Sequence, residues 1–344
     1  MPEDDPLYIR ILDKLGVNTT RLKWKLYEKE KKLKDMAKHR VKPTRFEWLS
    51  YPHKICLKCR AVNDKEASIC HSCDAKLPSM LGYRIRRILT GSASDDSPVV
   101  TQIFLGLMLF FFAIQISVGG FSLGNIMNPS FLGTIRLGSF CDAIFIGPSE
   151  WYRWTAFALL HGGLIHIGFN GYALYNIGPL IENYIGRSKM LTLITITQLG
   201  SALTSYIVYF KVQEVMYTQV VGASGWIFGI IGFAIVRFHF HGGLTHHIRN
   251  SLLKWSGFCL IFGFMVPGIS NTAHIGGMIA GALLALLPPG GDLRKPWIDK
   301  LWDGMAVLSI LIWLVTVVWM LYALFFGDSE YYVIEELLDN GYYD

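Results

Sequence analysis

The sequence predicts an all-α polytopic membrane protein preceded by one small cysteine-bearing module. Three observations predict it. The 344-residue chain is 52% apolar and only 17% charged, too apolar for an ordinary soluble domain. Its charge is segregated. Residues 1–97 are polar and rich in Lys and Arg, residues 98–326 hold repeated apolar runs, and residues 328–344 are acidic with no Lys or Arg. Four of the six cysteines, Cys56, Cys59, Cys70 and Cys73, crowd into the polar part.

Taken in order, residues 1–50 read as a basic arm. Thr19 or Thr20 can cap a helix through Arg21–His39, a solvated charged helix or one held at an anionic membrane surface. The acidic opening leads into no apolar core, so no cleavable signal peptide is expected. Residues 51–80 form the module. Cys56-x-x-Cys59, ten residues, then Cys70-x-x-Cys73 place four thiolates at the spacing of a closed tetrahedral Zn²⁺ site. The module resembles a zinc ribbon, and metal binding would supply most of its folding free energy. The competing reading is two disulfides. His71 is a redundant donor. No nucleic-acid partner is expected, and the module's own partner is not legible. Residues 81–97 are a linker.

Residues 98–288 are expected to hold six spans, and residues 289–327 a loop and a seventh, ahead of the acidic tail 328–344. A span needs about 20 apolar residues. The expected spans are 98–118, 153–177, 189–210, 222–238, 252–267, 271–288 and 304–326. Lys and Arg concentrate in alternate loops, which places the N-terminus in the cytoplasm and the C-terminus outside. That puts the cysteines in a reducing compartment, where paired C-x-x-C motifs favour metal over disulfide. The cell membrane is the expected location.

Parity then organises the chemistry. Spans two, four and six run in the same direction. Ser224 opens span four within Gly222-Ala223-Ser224-Gly225, and His274 opens span six. His166 and Asn170 lie on one face of span two, expected three to four turns in, with His161 before them. Histidines in a membrane are costly and face a bundle interior or a wet cavity. Gly225, Gly229 and Gly232 on span four, and Gly277 and Gly281 beside His274 on span six, make small faces that let helices approach closely. Ser224 and His274 can thus meet. No Asp or Glu shares their layer, and Glu182 sits at the far end of span two. The economical reading is a Ser-His dyad, with His166, Asn170 and the Ser224 N–H as oxyanion donors. Taken singly, the glycine-flanked serine reads as packing, His274 as a core histidine, and the His161, His166 and Asn170 set as a metal or proton-relay site. A transporter with a midplane histidine site is a further reading.

From Arg153 to Gly281 the chain resembles the rhomboid family of intramembrane serine proteases. The resemblance rests on Tyr152-Arg153, His161-x4-His166-x3-Asn170, Gly222-Ala223-Ser224-Gly225 and Ala273-His274-Ile275-Gly276-Gly277-x3-Gly281. It implies a six-helix bundle, to which the seventh span is an addition. It implies Ser224 as nucleophile, His274 as base, and His166 and Asn170 on the oxyanion side. Arg153 and His161 would support the first loop, and Glu182 would be structural. Substrates would be single-pass transmembrane proteins in the lipid bilayer, with no cofactor for catalysis. Two departures stand out. Tyr152 replaces a tryptophan, and Phe228 stands where some members have a tyrosine packed on the histidine. A non-proteolytic relative that binds membrane clients is the alternative.

Overall fold

The computed structural model describes residues 53–56, 62–77, 79, 98–140, 150–213, 219–240, 244–266, 268–288 and 296–326. The basic arm, Cys59, the linker and the acidic tail lie outside the described residues. The chain divides into two units, Met1–Ile85 and Arg86–Asp344.

In the first unit, β1 (His53–Ile55) pairs antiparallel with β2 (Val62–Asp64), with Lys54 opposite Asn63. A second pairing joins Ile69 to Lys76. The turn between them carries Cys70 and Cys73 and closes on Asp74 in the left-handed region, φ 53°. The Asp74 N–H returns to the Cys70 carbonyl, at 3.0 Å. Such short pairings give little apolar core, so the cysteines at their ends must supply the cohesion.

The second unit is helical. It begins with α1 (Val99–Gly119), followed by two short helices, α2 (Leu123–Met127) and α3 (Phe131–Arg136). Next come the single turn α4 (Arg153–Ala156) and a 3₁₀ turn (Phe157–Leu159), then α5 (Leu164–Ile185) and α6 (Arg187–Ser205). α6 runs on into a π-helical segment, Tyr206–Val212. The described residues close with α7 (Ser224–His239), α8 (Leu244–Met265), α9 (Asn271–Leu284) and α10 (Pro296–Phe326). Helix α7 is the hub and packs on α9, α6, α8 and α5. It is buried almost all round, as a helix that is apolar on every face requires.

Val99–Gly119, Arg187–Tyr209 and Trp297–Phe326 are long and apolar enough to cross a membrane. Their outward residues, such as Leu109, Phe110, Leu308 and Leu314, are exposed hydrocarbon. In water such surfaces would aggregate, and in lipid they are solvated. The architecture is that of an all-α polytopic membrane protein.

Among the described residues, seven principal helices fall where seven spans were expected, with one substantial correction. The expected second span, 153–177, is not one helix. Its first part is α4 and the 3₁₀ turn, which breaks at Leu160–Gly163, and the long helix starts only at Leu164. Gly163 has φ +134° and presses on the Met127 carbonyl. A side chain there would be both strained and blocked. The run Trp154–Leu160 is apolar because it is buried as a loop, not because it spans anything. His161 therefore sits ahead of α5, and His166 lies in its first turn rather than three to four turns in. Helix α8 also starts eight residues before its expected span. It takes in His246 and His247.

Candidate active site

Ser224 is the first residue of α7, and the chain reaches it through a tight approach. Phe140 and Val220 exchange backbone hydrogen bonds, at 3.1 and 2.7 Å, and the Gly222 N–H donates to the Phe157 carbonyl, at 2.9 Å. Gly222 then takes φ +117°. A side chain at Gly222 would strike the His166 ring and come within 3.4 Å of Asn170 Nδ2. The glycine is thus needed twice, for its conformation and for its emptiness.

His274 is brought to Ser224 by helix packing. Its Nε2 lies 2.8 Å from Ser224 Oγ. Its ring stacks on Phe228, with centroids 4.3 Å apart and planes 5° apart. Trp255 of α8 stacks in turn on Phe228, at 6.1 Å. His274 is buried. The register comes from glycines. A Cβ on Gly277 would collide with the Gly225 carbonyl, and one on Gly281 with the Gly229 carbonyl. On the third side, Gly225 faces Ser201 and Gly229 faces Thr197 of α6, and Gly200 of α6 faces Ala280 of α9. Backbones thus touch where two side chains would hold the helices apart.

His166 and Asn170 close the other side. The Gly162 N–H donates to His166 Nδ1, at 3.2 Å. That leaves the His166 proton on Nε2, beside Gly222. Asn170 is buried, and its Nδ2 has no partner among the described residues. His166 Nε2 and Asn170 Nδ2 therefore converge beside Gly222, two residues before Ser224, an arrangement that a developing negative charge there would satisfy.

The other residues expected as supports are engaged at different places in the fold. The buried Arg153 donates from Nη1 to the Ile135 and Ser139 carbonyls, at 2.7 and 3.0 Å, and pairs through Nε with Glu150. It thereby ties the end of α3 to α4. His161 packs edge-on against the His166 ring, at 5.3 Å. Glu182 lies at the far end of α5, away from the chemistry. It accepts from the Val100 and Thr101 N–H groups, at 2.9 and 2.8 Å, and from the Thr101 hydroxyl, at 2.7 Å. It therefore caps α1, whose own N-cap, Pro98, makes no side-chain bond. A buried carboxylate there also complements the helix dipole.

Sequence reading missed Gln115. From α1 its Nε2 donates to Thr134 Oγ1 and to the His161 carbonyl, both at 2.9 Å, and its Oε1 accepts the His161 N–H, at 3.1 Å. A glutamine inside an apolar helix is the signal that could have found it. Asn125 was missed too. It bonds the Ile116 and Gly120 carbonyls and the Ser130 N–H.

In the first unit, the sulfurs of Cys56, Cys70 and Cys73 lie within 4.8 Å of one another. Cys56 and Cys73 are 3.6 Å apart. That separation is too long for an S–S bond of about 2 Å and close to the roughly 3.8 Å edge of a tetrahedron with Zn–S near 2.3 Å. Asn63 Nδ2 and the Ser72 N–H both donate to Cys70 Sγ, at 3.5 Å, as a thiolate ligand requires. His71 Nδ1 is engaged by Asn63 Oδ1, at 2.9 Å, and among the described residues the clustered donors are the three cysteines. These residues fit a zinc ion.

Comparison with known proteins follows the same lines. A family model described as Rhomboid domain matches residues 148–288. The chain is 30% identical over 206 residues to Rhomboid protease GluP of Bacillus subtilis, covering 58% of this chain and 38% of that protein. It is 30% identical over 156 residues to Rhomboid protease AarA of Providencia stuartii, covering 40% and 56%. With Putative rhomboid protease YdcA of Bacillus subtilis it shares 27% over 143 residues, 41% of this chain and 69% of that one. The matched stretch thus spans well under two thirds of two of these relatives. Residues 148–288, which match the family model, contain Ser224, His274, His166 and Asn170, and by this match and these relatives the chain resembles the rhomboid family.

Proposed function

We propose that the protein is an intramembrane serine endopeptidase that cleaves transmembrane segments by a Ser224–His274 dyad. The observation that carries this reading is the 2.8 Å contact between Ser224 Oγ and His274 Nε2, at the mouth of a buried, glycine-packed helix pair. Ser224 Oγ gives its proton to His274 Nε2 and attacks the scissile carbonyl carbon. The carbonyl electrons move to oxygen, where His166 Nε2–H, Asn170 Nδ2–H and the Ser224 N–H receive the charge. The C–N bond then breaks, and His274 returns the proton to the leaving nitrogen. A water, deprotonated by the same histidine, releases the acyl group and regenerates the serine. Stacking on Phe228 holds the imidazole in plane for both transfers, and a phenylalanine suffices because the ring, not a hydroxyl, makes the contact. Arg153, His161, Gly277 and Gly281 serve the geometry.

Substrates are single-pass membrane proteins whose backbone can unwind near the cut, because a helical carbonyl is hydrogen-bonded and shielded. The positive-inside pattern supports a cytoplasmic N-terminus, an external C-terminus and residence in the cell membrane. Cys56, Cys59, Cys70 and Cys73 would hold a structural zinc ion, which supplies folding stability and takes no part in catalysis.

The test is cleavage of a single-pass substrate in proteoliposomes. Ser224→Ala and His274→Ala should each abolish it, and His166→Ala or Asn170→Ala should lower kcat by about 10²–10³. Cleavage equal in native protein and Ser224→Ala would overturn the dyad. No cleavage of any substrate by the native chain would favour client binding without proteolysis.

A further inference from the structure

Helix α4 is a single turn of four residues, Arg153–Ala156. A helix that short does not hold itself, so its neighbours must place it. Its place matters because the turn that follows carries the Phe157 carbonyl, which accepts the Gly222 N–H at 2.9 Å. Gly222 in turn lies against His166 and Asn170, two residues before Ser224. α4 reaches the same point by a second route. Arg153 holds the Ser139 carbonyl, at 3.0 Å, and the next residue, Phe140, is paired with Val220. A shift of α4 is therefore passed to the approach to Ser224 along two paths.

α3 holds α4 through Arg153, and α6 holds it through Gln198, whose Nε2 donates to the Trp154 carbonyl at 3.1 Å. α10 holds it as well. Thr316 Oγ1 lies 2.6 Å from Thr155 Oγ1, across 161 positions, and both residues are buried. Each hydroxyl also has a carbonyl one turn back within reach, Ile312 at 2.8 Å and Tyr152 at 3.1 Å. Whichever hydroxyl donates, the two are joined. One turn on, the Trp319 ring packs on Trp151 and Tyr152, with centroids 6.0 and 6.5 Å away. The buried Tyr152 ring also meets Gly138, where an added Cβ would stand 2.6 Å from it. An apolar pair would serve burial equally well. A hydroxyl pair fixes register too, because its hydrogen bond is lost on a shift of about 1 Å.

We propose that Thr316 and Trp319 of α10 are positioning residues for the reaction. Through α4 they hold the Gly222 approach, and with it the donors that receive the charge on the scissile carbonyl. The proposal rests on the proteolytic reading above. It gives the seventh span a part in the chemical step and none in substrate capture. Loosening it should therefore lower kcat and leave KM nearly unchanged.

The experiment uses the full chain in proteoliposomes and two readouts. One is cleavage of a single-pass substrate. The other is the rate at which a fluorophosphonate labels Ser224, with Oγ displacing fluoride from phosphorus. Labelling uses the same oxygen donors and needs no substrate segment. Rates are taken per folded molecule, quantified by gel filtration. Thr316→Val keeps the shape and loses the hydroxyl. It should lower kcat about tenfold with KM within about twofold, and slow labelling by a similar factor. Trp319→Leu, at a half-buried position, should do the same. Thr316→Ser keeps the hydroxyl and loses a buried methyl, so it should unfold earlier than the native chain yet retain near-native rates. Trp302→Phe removes the bond of α10 to the Pro288 carbonyl, about 20 Å along the helix from Thr316. It should lower stability and leave both rates unchanged. Native rates in Thr316→Val and Trp319→Leu overturn the proposal, as do rates that simply follow the unfolding temperature across all four variants. A native chain that neither cleaves nor is labelled overturns the proteolytic reading, and this proposal with it.

Discussion

A single carboxylate illustrates how much one residue can hold. Glu182 takes three hydrogen bonds at the start of α1. Charged hydrogen bonds of this kind are stronger than neutral ones. Glu182→Gln turns an acceptor-only group into one that also donates, and two backbone N–H groups then compete for a single oxygen. The expected loss is about 1–3 kcal/mol, read as earlier unfolding of the detergent-solubilised chain. Cleavage per folded molecule should be largely retained, because the residue lies at the end of α5 remote from Ser224. Glu182's place at that end was legible in the sequence, but its cap on α1 was not, because hydrogen bonds across 82 positions leave no local pattern. The Ser224–His274 pair was legible for the opposite reason. Alternating helix direction and the side on which each residue falls are properties a hydropathy trace carries.

At the scale of elements, the bundle is held by close approach. Gly281→Ala pushes a methyl group into the Gly229 carbonyl and should cost about 1–3 kcal/mol, as overpacking does. It should also reduce cleavage, since α9 cannot shift without moving His274. Gly106→Ala on α1 is the control. Nothing lies within 4 Å of the added carbon, so the change should be neutral or slightly stabilising by helix propensity, up to about 1 kcal/mol. Thermal unfolding of the two variants side by side separates the effects. The glycine stripes on α7 and α9 were readable from their spacing. The part of α6 was not, since Thr197, Gly200 and Ser201 look like ordinary polar interruptions until the facing helix is known. The break at Leu160–Gly163 was hidden for a different reason. A buried loop and a spanning helix are equally apolar, and composition alone does not separate them.

For the whole molecule, the added helix α10 does more than lengthen the chain. Trp313 Nε1 donates to Thr195 Oγ1 of α6, at 2.9 Å, and Thr316 meets Thr155 of α4, at 2.6 Å. Trp302 Nε1 donates to the Pro288 carbonyl, at 3.0 Å. Hydrogen bonds at three levels, two of them buried, fix it along its length. The cysteine module is a separate unit with its own metal test. Purified full-length protein should carry about one zinc per chain, and Cys70→Ser should lose it, as metal analysis will show. Zinc content equal in both proteins would refute the metal reading. The cysteine spacing made this site legible without any fold. The amide donors on Cys70 were beyond reach, because they arise only once the turn has closed.

The contacts of Gly277 with the Gly225 carbonyl and of Gly281 with the Gly229 carbonyl carry a mechanical consequence. Two rods that touch main chain to main chain at successive turns behave as one stiff beam. Ser224 and His274 sit at the same end of that beam, so thermal motion carries them together and their separation changes little. Any flexing of the bundle must then be borne by thinner members outside the beam, such as the break at Leu160–Gly163.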